Sequence, residues 1–298
     1  MNLDAIFRIC RQLCDFCNKT YVDFSFSIIT NGTLLKRKSV RELCSLGLRG
    51  IQITLDGPSE IHDKRRPKNN GEGSFYDVFR NLKQVVDLVK LVSIRINLDF
   101  QNSETIPRFL HELTSQGMHR QNVQIQIART YNIDLASEIA QRRQKEYKNI
   151  TVKRMIELYS LAKQLGFQIA IDKDSAFMPY EICMFVSPNS FVIDPEGWIY
   201  KCIGFVSNPE FRIGHVSKEN FTDTLAEHII LGTKITQDPF CNKCAFRPVC
   251  NGGCRYLTYV QTGDPWKRIC PKQYFQRASL ELLRINYLSE RELENGNK

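Results

Sequence analysis

Seven cysteines in the C-terminal part of this 298-residue chain carry its clearest chemistry: Cys183, Cys202, Cys241, Cys244, Cys250, Cys254 and Cys270. The tight part, C-N-K-C-A-F-R-P-V-C-N-G-G-C, has the spacing C-x2-C-x5-C-x3-C, and Cys270 follows sixteen residues later. Upstream, D-P-E-G-W-I-Y-K-C sets Gly197 five residues before Cys202. Thiolates this dense either share metal or are bridged to one another. Soft sulfur ligands select zinc, copper(I) or iron–sulfur clusters. Structural zinc takes four ligands per ion, which suits seven poorly. Two four-iron clusters take eight, so seven leaves one iron with another ligand or an open position. Spacing alone puts iron–sulfur ligation first, with zinc and a disulfide scaffold as alternatives.

Other candidates are sparser. Cys10, Cys14 and Cys17 spell C-x3-C-x2-C. They also fall on the apolar stripe of an amphipathic helix with Leu3, Ile6 and Leu13, where small soft residues fill space, and core packing is the expectation for them. Cys44, between Leu43 and Leu46 in a helix, is expected in the core. Asp56 and Asp63 could form an acid–base pair, although an aspartate before Gly57 is also an ordinary turn former. The five histidines are scattered, without metal-ligand spacing.

Composition bounds the rest. The net charge of +9 comes with basic stretches at 36–38 and 142–148 but no accompanying aromatic binding module, so nucleic-acid binding is not expected. No apolar run approaches a membrane span, and M-N-L-D-A-I-F-R lacks the pattern of a secretory signal. Eleven cysteines without such a signal point to a reducing compartment, the cytoplasm.

These residues need elements to hold them. Periodicity predicts helices over 3–18, 39–46, 75–89, 105–115 and 152–165, and strands over 22–28, 51–55, 91–98, 123–128 and 167–171. Strands alternating with helices imply β/α units on a parallel sheet. Residues 132–149 read as a polar, solvent-facing segment. After 180 the texture changes. A hairpin turning at Asp194–Gly197, a short extended piece at 213–216, cysteine-rich loops and a closing helix over 271–286 are expected. Such loops bury little apolar area, so metal would hold this part together. The expected division is 1–178 and 179–298.

The cysteine array resembles the SPASM domain of radical S-adenosylmethionine enzymes, whose pattern is C-x9-15-G-x4-C, C-x2-C-x5-C-x3-C and a final C. Here Cys183 and Gly197 enclose thirteen residues, and Gly197 and Cys202 enclose four. The resemblance implies two auxiliary [4Fe–4S] clusters, one on Cys183, Cys202 and Cys254, the other on Cys241, Cys244, Cys250 and Cys270. Some members supply an eighth cysteine before the first. Phe177 and Tyr180 stand in that region, which leaves an open iron, a water or Glu181.

The first part is similar to the later strands of a radical SAM barrel, on the strength of I-T-N-G-T-L-L at 29–35, I-T-L-D-G-P at 53–58, His62, Asp63, Arg65 and Arg66 with G-S-F at 73–75, and R-I-N at 95–97 with Asn102. The implied fold is an incomplete parallel (β/α) partial TIM barrel followed by a small cysteine-rich iron–sulfur domain. In relatives, residues matching Asn31, Thr54, Arg66 and Arg95 lie near S-adenosylmethionine. The resemblance implies a peptide or protein maturase of the anaerobic sulfatase-maturating kind, which abstracts hydrogen from a peptide side chain. A reductant such as ferredoxin or flavodoxin would serve it. The family's G-G-E-P segment occurs nowhere in these residues, and T-N-G arrives by residue 30. The chain therefore reads as lacking about a third of the barrel. Cys10, Cys14 and Cys17 match the spacing of the family's third cluster, which holds S-adenosylmethionine on its open iron, but stand where the helix before the third strand is expected. The chain alone is expected not to be competent. A non-catalytic iron–sulfur module for electron transfer or peptide docking is the alternative.

Overall fold

The computed structural model describes residues 3–129, 152–170, most of 183–218 and 239–273, and a few residues beyond. The segment 132–149, Glu181 and most of the closing helix expected over 271–286 lie outside the described residues. The described residues fall into two compact units, the first with 3–129, 152–170 and the few beyond 280, the second with those of 183–279.

The first unit is α/β. Helix α1 (Leu3–Lys19) precedes β1 (Phe26–Thr30), α2 (Arg37–Ser45), β2 (Leu48–Thr54), α3 (Ser59–Arg65), α4 (Phe75–Val85), β3 (Leu91–Leu98), α5 (Ile106–Ser115), β4 (Val123–Arg129), α6 (Val152–Gln164) and β5 (Gln168–Ala170). The five strands form one parallel sheet in the order β1-β2-β3-β4-β5. Chain order equals sheet order, as repeated β/α units in a parallel barrel require.

Side chains alternate between the two faces of a strand. On one face, Ile51, Ile53 and Leu55, then Val92, Ile94 and Ile96, then Val123, Ile125 and Ile127 are fully buried. Val78 and Leu82 of α4, Phe109 and Leu110 of α5, and Leu158 and Tyr159 of α6 belong to the same core. Tyr159 pins α6 to two strands: its hydroxyl accepts from the Ile127 N–H at 3.1 Å and reaches the Ala170 carbonyl at 2.9 Å. The opposite face is polar, with Gln52 and Thr54 on β2, Ser93, Arg95 and Asn97 on β3, and Gln124 and Gln126 on β4. A parallel strand with one polar face lines a site rather than a second core.

The strand expected over 22–28 runs instead over Phe26–Thr30. Val22 is exposed, and hydrogen bonds from Thr20 and Val22 back to Cys17 prolong the exit from α1. Helix α3 was not expected. It is short and carries no apolar stripe, and Asp56-Gly57-Pro58 before it reads as a plain turn. Cys44 is half-buried rather than in the core, with its thiol 3.4 Å from the Leu88 carbonyl.

In the second unit, β6 (Val192–Ile193) and β7 (Trp198–Tyr200) form the expected hairpin, and β8 (Gly214–His215) adds antiparallel to β7. The Asp194 carboxylate accepts from the Glu196 and Trp198 N–H groups at 3.0 and 2.8 Å and closes the turn. Phe185, Ile199, Tyr200, Phe205 and Ile213 form the core, with Trp198, Phe211, Tyr256 and Tyr259 packed around it. The cysteine-rich stretch is not all loop. It holds α7 (Pro239–Asn242), α8 (Arg247–Cys250) and α9 (Arg255–Thr262), the last closed by Gly263 at φ +71.

Candidate iron–sulfur and cofactor sites

Cys202 leaves β7 into a short 3-10 turn and is held from several sides. Lys201 beside it is buried, and its ammonium donates to the Ser187 carbonyl at 2.5 Å. The Ser187 N–H bonds the Cys183 carbonyl at 3.1 Å. The lysine thus ties β7 to the turn that carries Cys183. Gly197, the glycine of the motif, sits at φ +91, and a Cβ there would come within 2.8 Å of Val216 and 3.0 Å of the His215 ring. Only glycine lets the hairpin fold tightly against β8 and aim its second strand at the thiols.

Burial pushes the Cys202 thiol up to about 11, and the thiols of Cys254 and Cys183 add to that effect, while N–H groups of Gly204 and Phe205 oppose it. Three cysteines spread over seventy residues therefore share one neighbourhood. The set is the one that the resemblance assigns to the first cluster.

The remaining thiols follow from tight turns. Cys244 N–H bonds Cys241 C=O, Cys250 N–H bonds Phe246 C=O, and Gly253 N–H bonds Cys250 C=O. Gly253, at φ +87, lies so close to the Ile269 carbonyl that a Cβ would approach to 3.2 Å, which brings the chain before Cys270 against the chain before Cys254. Cys254 caps α9, and Arg255 follows as its first residue. Arg255 is 3% exposed, and Cys183, Cys254, Cys241 and Cys250 all lie within its electrostatic reach. Its Nε and Nη2 are buried without a hydrogen-bond partner among the described residues.

Among the described residues, no three His, Cys, Asp or Glu side chains are gathered tightly enough to ligate a single metal ion. Ligands around a four-iron cube stand further apart than ligands around one ion. Converging thiols, amide N–H groups at Cys202 and an orphaned cation beside them fit anionic iron–sulfur clusters.

Within the first unit, the other candidates gather at the C-terminal ends of the strands, where parallel sheets place their ligands. Thr54 of β2 and Arg95 of β3 are register partners on the polar face. Arg95 Nε donates to the Asn97 side-chain oxygen at 3.0 Å, and the Asn97 N–H donates to Asp56 Oδ1 at 3.0 Å. Arg66, just past α3, donates through Nε to Asp56 Oδ2 at 2.8 Å. Asp56, Arg66 and Arg95 thus belong to one network through Asn97, with Thr54 next to Arg95 in the sheet. Thr30 at the end of β1 pairs with Ile53, so Asn31 and Thr54 leave neighbouring strands at the same level. Asn31 is exposed, and its side-chain oxygen accepts from the Thr33 hydroxyl at 3.0 Å.

Asp56 is buried, with both carboxylate oxygens occupied. It orients Arg66. Asp63 caps the start of α4 through the Phe75 N–H at 2.8 Å, apart from this role. The scaffold beneath is polar and buried. Asn102 donates to the Asp56 and Asn97 carbonyls at 2.7 and 2.9 Å, and Arg65 pairs with Asp99. His62 is held between the Asp56 N–H and the Ser74 hydroxyl, and its burial keeps it neutral by lowering its pKa. An amide, a hydroxyl and two guanidiniums on one sheet end suit a nucleoside–amino acid ligand such as S-adenosylmethionine.

Cys10, Cys14 and Cys17 lie on α1. Cys10 is buried, the other two are half-buried, and Asn18 reaches the Cys14 sulfur at 3.7 Å. Sequence reasoning passed over Arg255. The available signal was a cation at the first position of a helix, where the helix dipole disfavours it.

No family model matches the chain. A cysteine-type anaerobic sulfatase-maturating enzyme of Clostridium novyi is 25% identical over 253 residues, which cover 80% of this chain and 66% of that enzyme. An Fe-coproporphyrin III synthase of Methanosarcina barkeri is 31% identical over 93 residues, 31% of this chain and 23% of that protein. The chain thus spans just under two thirds of the first relative and less of the second. Among solved structures, anSMEcpe with bound AdoMet matches with a TM-score of 0.68 and 16% identity, over 96% of this chain and 77% of that one. The same protein with AdoMet and the Kp18Cys peptide matches at 0.69, over 96% and 82%. No described helix is long and apolar enough to cross a membrane. In sequence the chain is similar to a cysteine-type anaerobic sulfatase-maturating enzyme, and its fold is similar to that of anSMEcpe.

Proposed function

We propose that these residues form the later strands of the barrel and the auxiliary-cluster domain of a radical S-adenosylmethionine maturase acting on a peptide or protein. The observation that carries this reading is the convergence of Cys183, Cys202 and Cys254 beside the buried Arg255. Cys183, Cys202 and Cys254 hold one [4Fe–4S] cluster, and Cys241, Cys244, Cys250 and Cys270 hold the other. The expected boundary near 178 stays part of the proposal, as do a reductant of the ferredoxin or flavodoxin type and a cytoplasmic setting. The peptide bound to the solved relative supports a peptide substrate.

S-adenosylmethionine, when bound to a reduced cluster, supplies the hydrogen-abstracting chemistry. The residues of this chain orient it. Thr54 and Asn31 offer hydroxyl and amide groups at one level of the sheet. Arg66, steered by Asp56, and Arg95, steered by Asn97, offer cations to a carboxylate or to ribose oxygens. The clusters that the seven cysteines would hold would supply electron transfer or substrate binding.

A second reading, an iron–sulfur module for electron transfer or docking, applies to these residues taken alone, which contain no G-G-E-P. Both readings share the clusters. Anaerobic reconstitution should give about eight irons and eight labile sulfides per chain. Two zincs with no labile sulfide after anaerobic preparation would overturn both.

A further inference from the structure

Arg255 is a buried cation with no carboxylate paired to it among the described residues. Its Nη1 donates to the Pro265 carbonyl at 3.0 Å, and the Nε and Nη2 groups find no partner among the described residues. It also stands at the first position of α9, where the helix dipole opposes a positive charge. Burying an unpaired charge is costly, so such a residue persists where a counter-charge is supplied. Four thiols lie within its electrostatic reach. Cys183 and Cys254 belong to one proposed ligand set, and Cys241 and Cys250 to the other.

We propose that Arg255 is a positioning residue lodged between the two auxiliary clusters, with its orphaned N–H groups donating to their sulfurs and its charge raising their reduction potentials. The inference rests on the iron–sulfur reading above. A thiolate-held cluster is anionic and gains one more negative charge on reduction. A fixed cation in a low-dielectric site stabilises the reduced form more than the oxidised form. Because its reach includes thiols of both sets, Arg255 shifts the potentials of both clusters in the same direction.

The test uses the full chain, reconstituted anaerobically, as wild type, R255Q and R255K. Iron and sulfide analysis comes first. A wild-type chain without labile sulfide defeats the iron–sulfur reading and this inference together. With clusters present, the readout is a redox titration followed by electron paramagnetic resonance. R255Q should keep its iron and sulfide and lower the equilibrium constant for reduction about tenfold, about 59 mV for a one-electron couple. R255K should fall between the two. Intact clusters in R255Q at wild-type potentials overturn the inference and leave the iron–sulfur reading standing. If R255Q loses its clusters, R255K decides: a potential below wild type supports the role, and an unchanged one refutes it. A side chain that only fills space does not move a potential.

Discussion

At the scale of single residues, the ligand sets make a separable prediction. Cys254 adjoins Cys202 and Cys183 electrostatically, whereas Cys244 sits in the turn with Cys241. Cys254→Ala should therefore lose mainly the first cluster and Cys244→Ala mainly the second. Each variant should retain about four irons, with different spectroscopic signatures for the survivor. Either change should also loosen the unit, because metal binding here is folding energy. Equal loss of both clusters in each variant, in an otherwise folded domain, breaks the assignment. The seven cysteines stand out by residue type and interval alone, whereas their division between two clusters is what the resemblance implies and belongs to the proposal. Asp56 was legible only as a carboxylate. That both of its oxygens are spent, on Arg66 and on a backbone N–H, depends on a meeting of β2, β3 and α3 that no local pattern encodes.

At the scale of elements, strong periodicity carried most of the first unit. The strand expected over 91–98 is observed over Leu91–Leu98, and α5 and α6 fall within a residue of their expected bounds. Short elements escaped, as α3 and α9 show, because seven or eight residues give too little period to read. The edge of the sheet raises a separate issue. Among the described residues β1 pairs only with β2, and Ile29 on it is 73% exposed. Tyr21 and Val22 before it, and Ile9, Leu13 and Phe16 on α1, are exposed as well. An open parallel edge flanked by apolar surface is a template for association. Ile29→Lys should raise the concentration at which these 298 residues stay monomeric in light scattering, with stability changed by no more than about 0.5 kcal/mol. If aggregation is unchanged, the edge is not its seat.

At the scale of the molecule, the question is whether residues 1–298 cleave S-adenosylmethionine, and the expectation is that they do not at a useful rate. The sequence holds no G-G-E-P, the segment that in the family receives the methionine amino group. The only C-x3-C-x2-C lies on α1. A helix rises about 1.5 Å per residue, so Cys10 to Cys17 spans about 10 Å of axis. Cys10 is buried while Cys14 and Cys17 are half-buried, an arrangement that packs a helix more readily than it encircles a cube. Asn31 just past β1, Thr54 and Arg95 of the sheet and Arg66 after α3 are the residues proposed to hold S-adenosylmethionine, but catalysis requires the whole constellation within a fraction of an ångström. The measurement is 5′-deoxyadenosine formed when the reduced, reconstituted chain is incubated anaerobically with S-adenosylmethionine. The expected yield is below one equivalent and indifferent to Cys14→Ala. Multiple turnovers abolished by Cys14→Ala would instead make α1 a cluster-binding element and these residues a compact, complete enzyme.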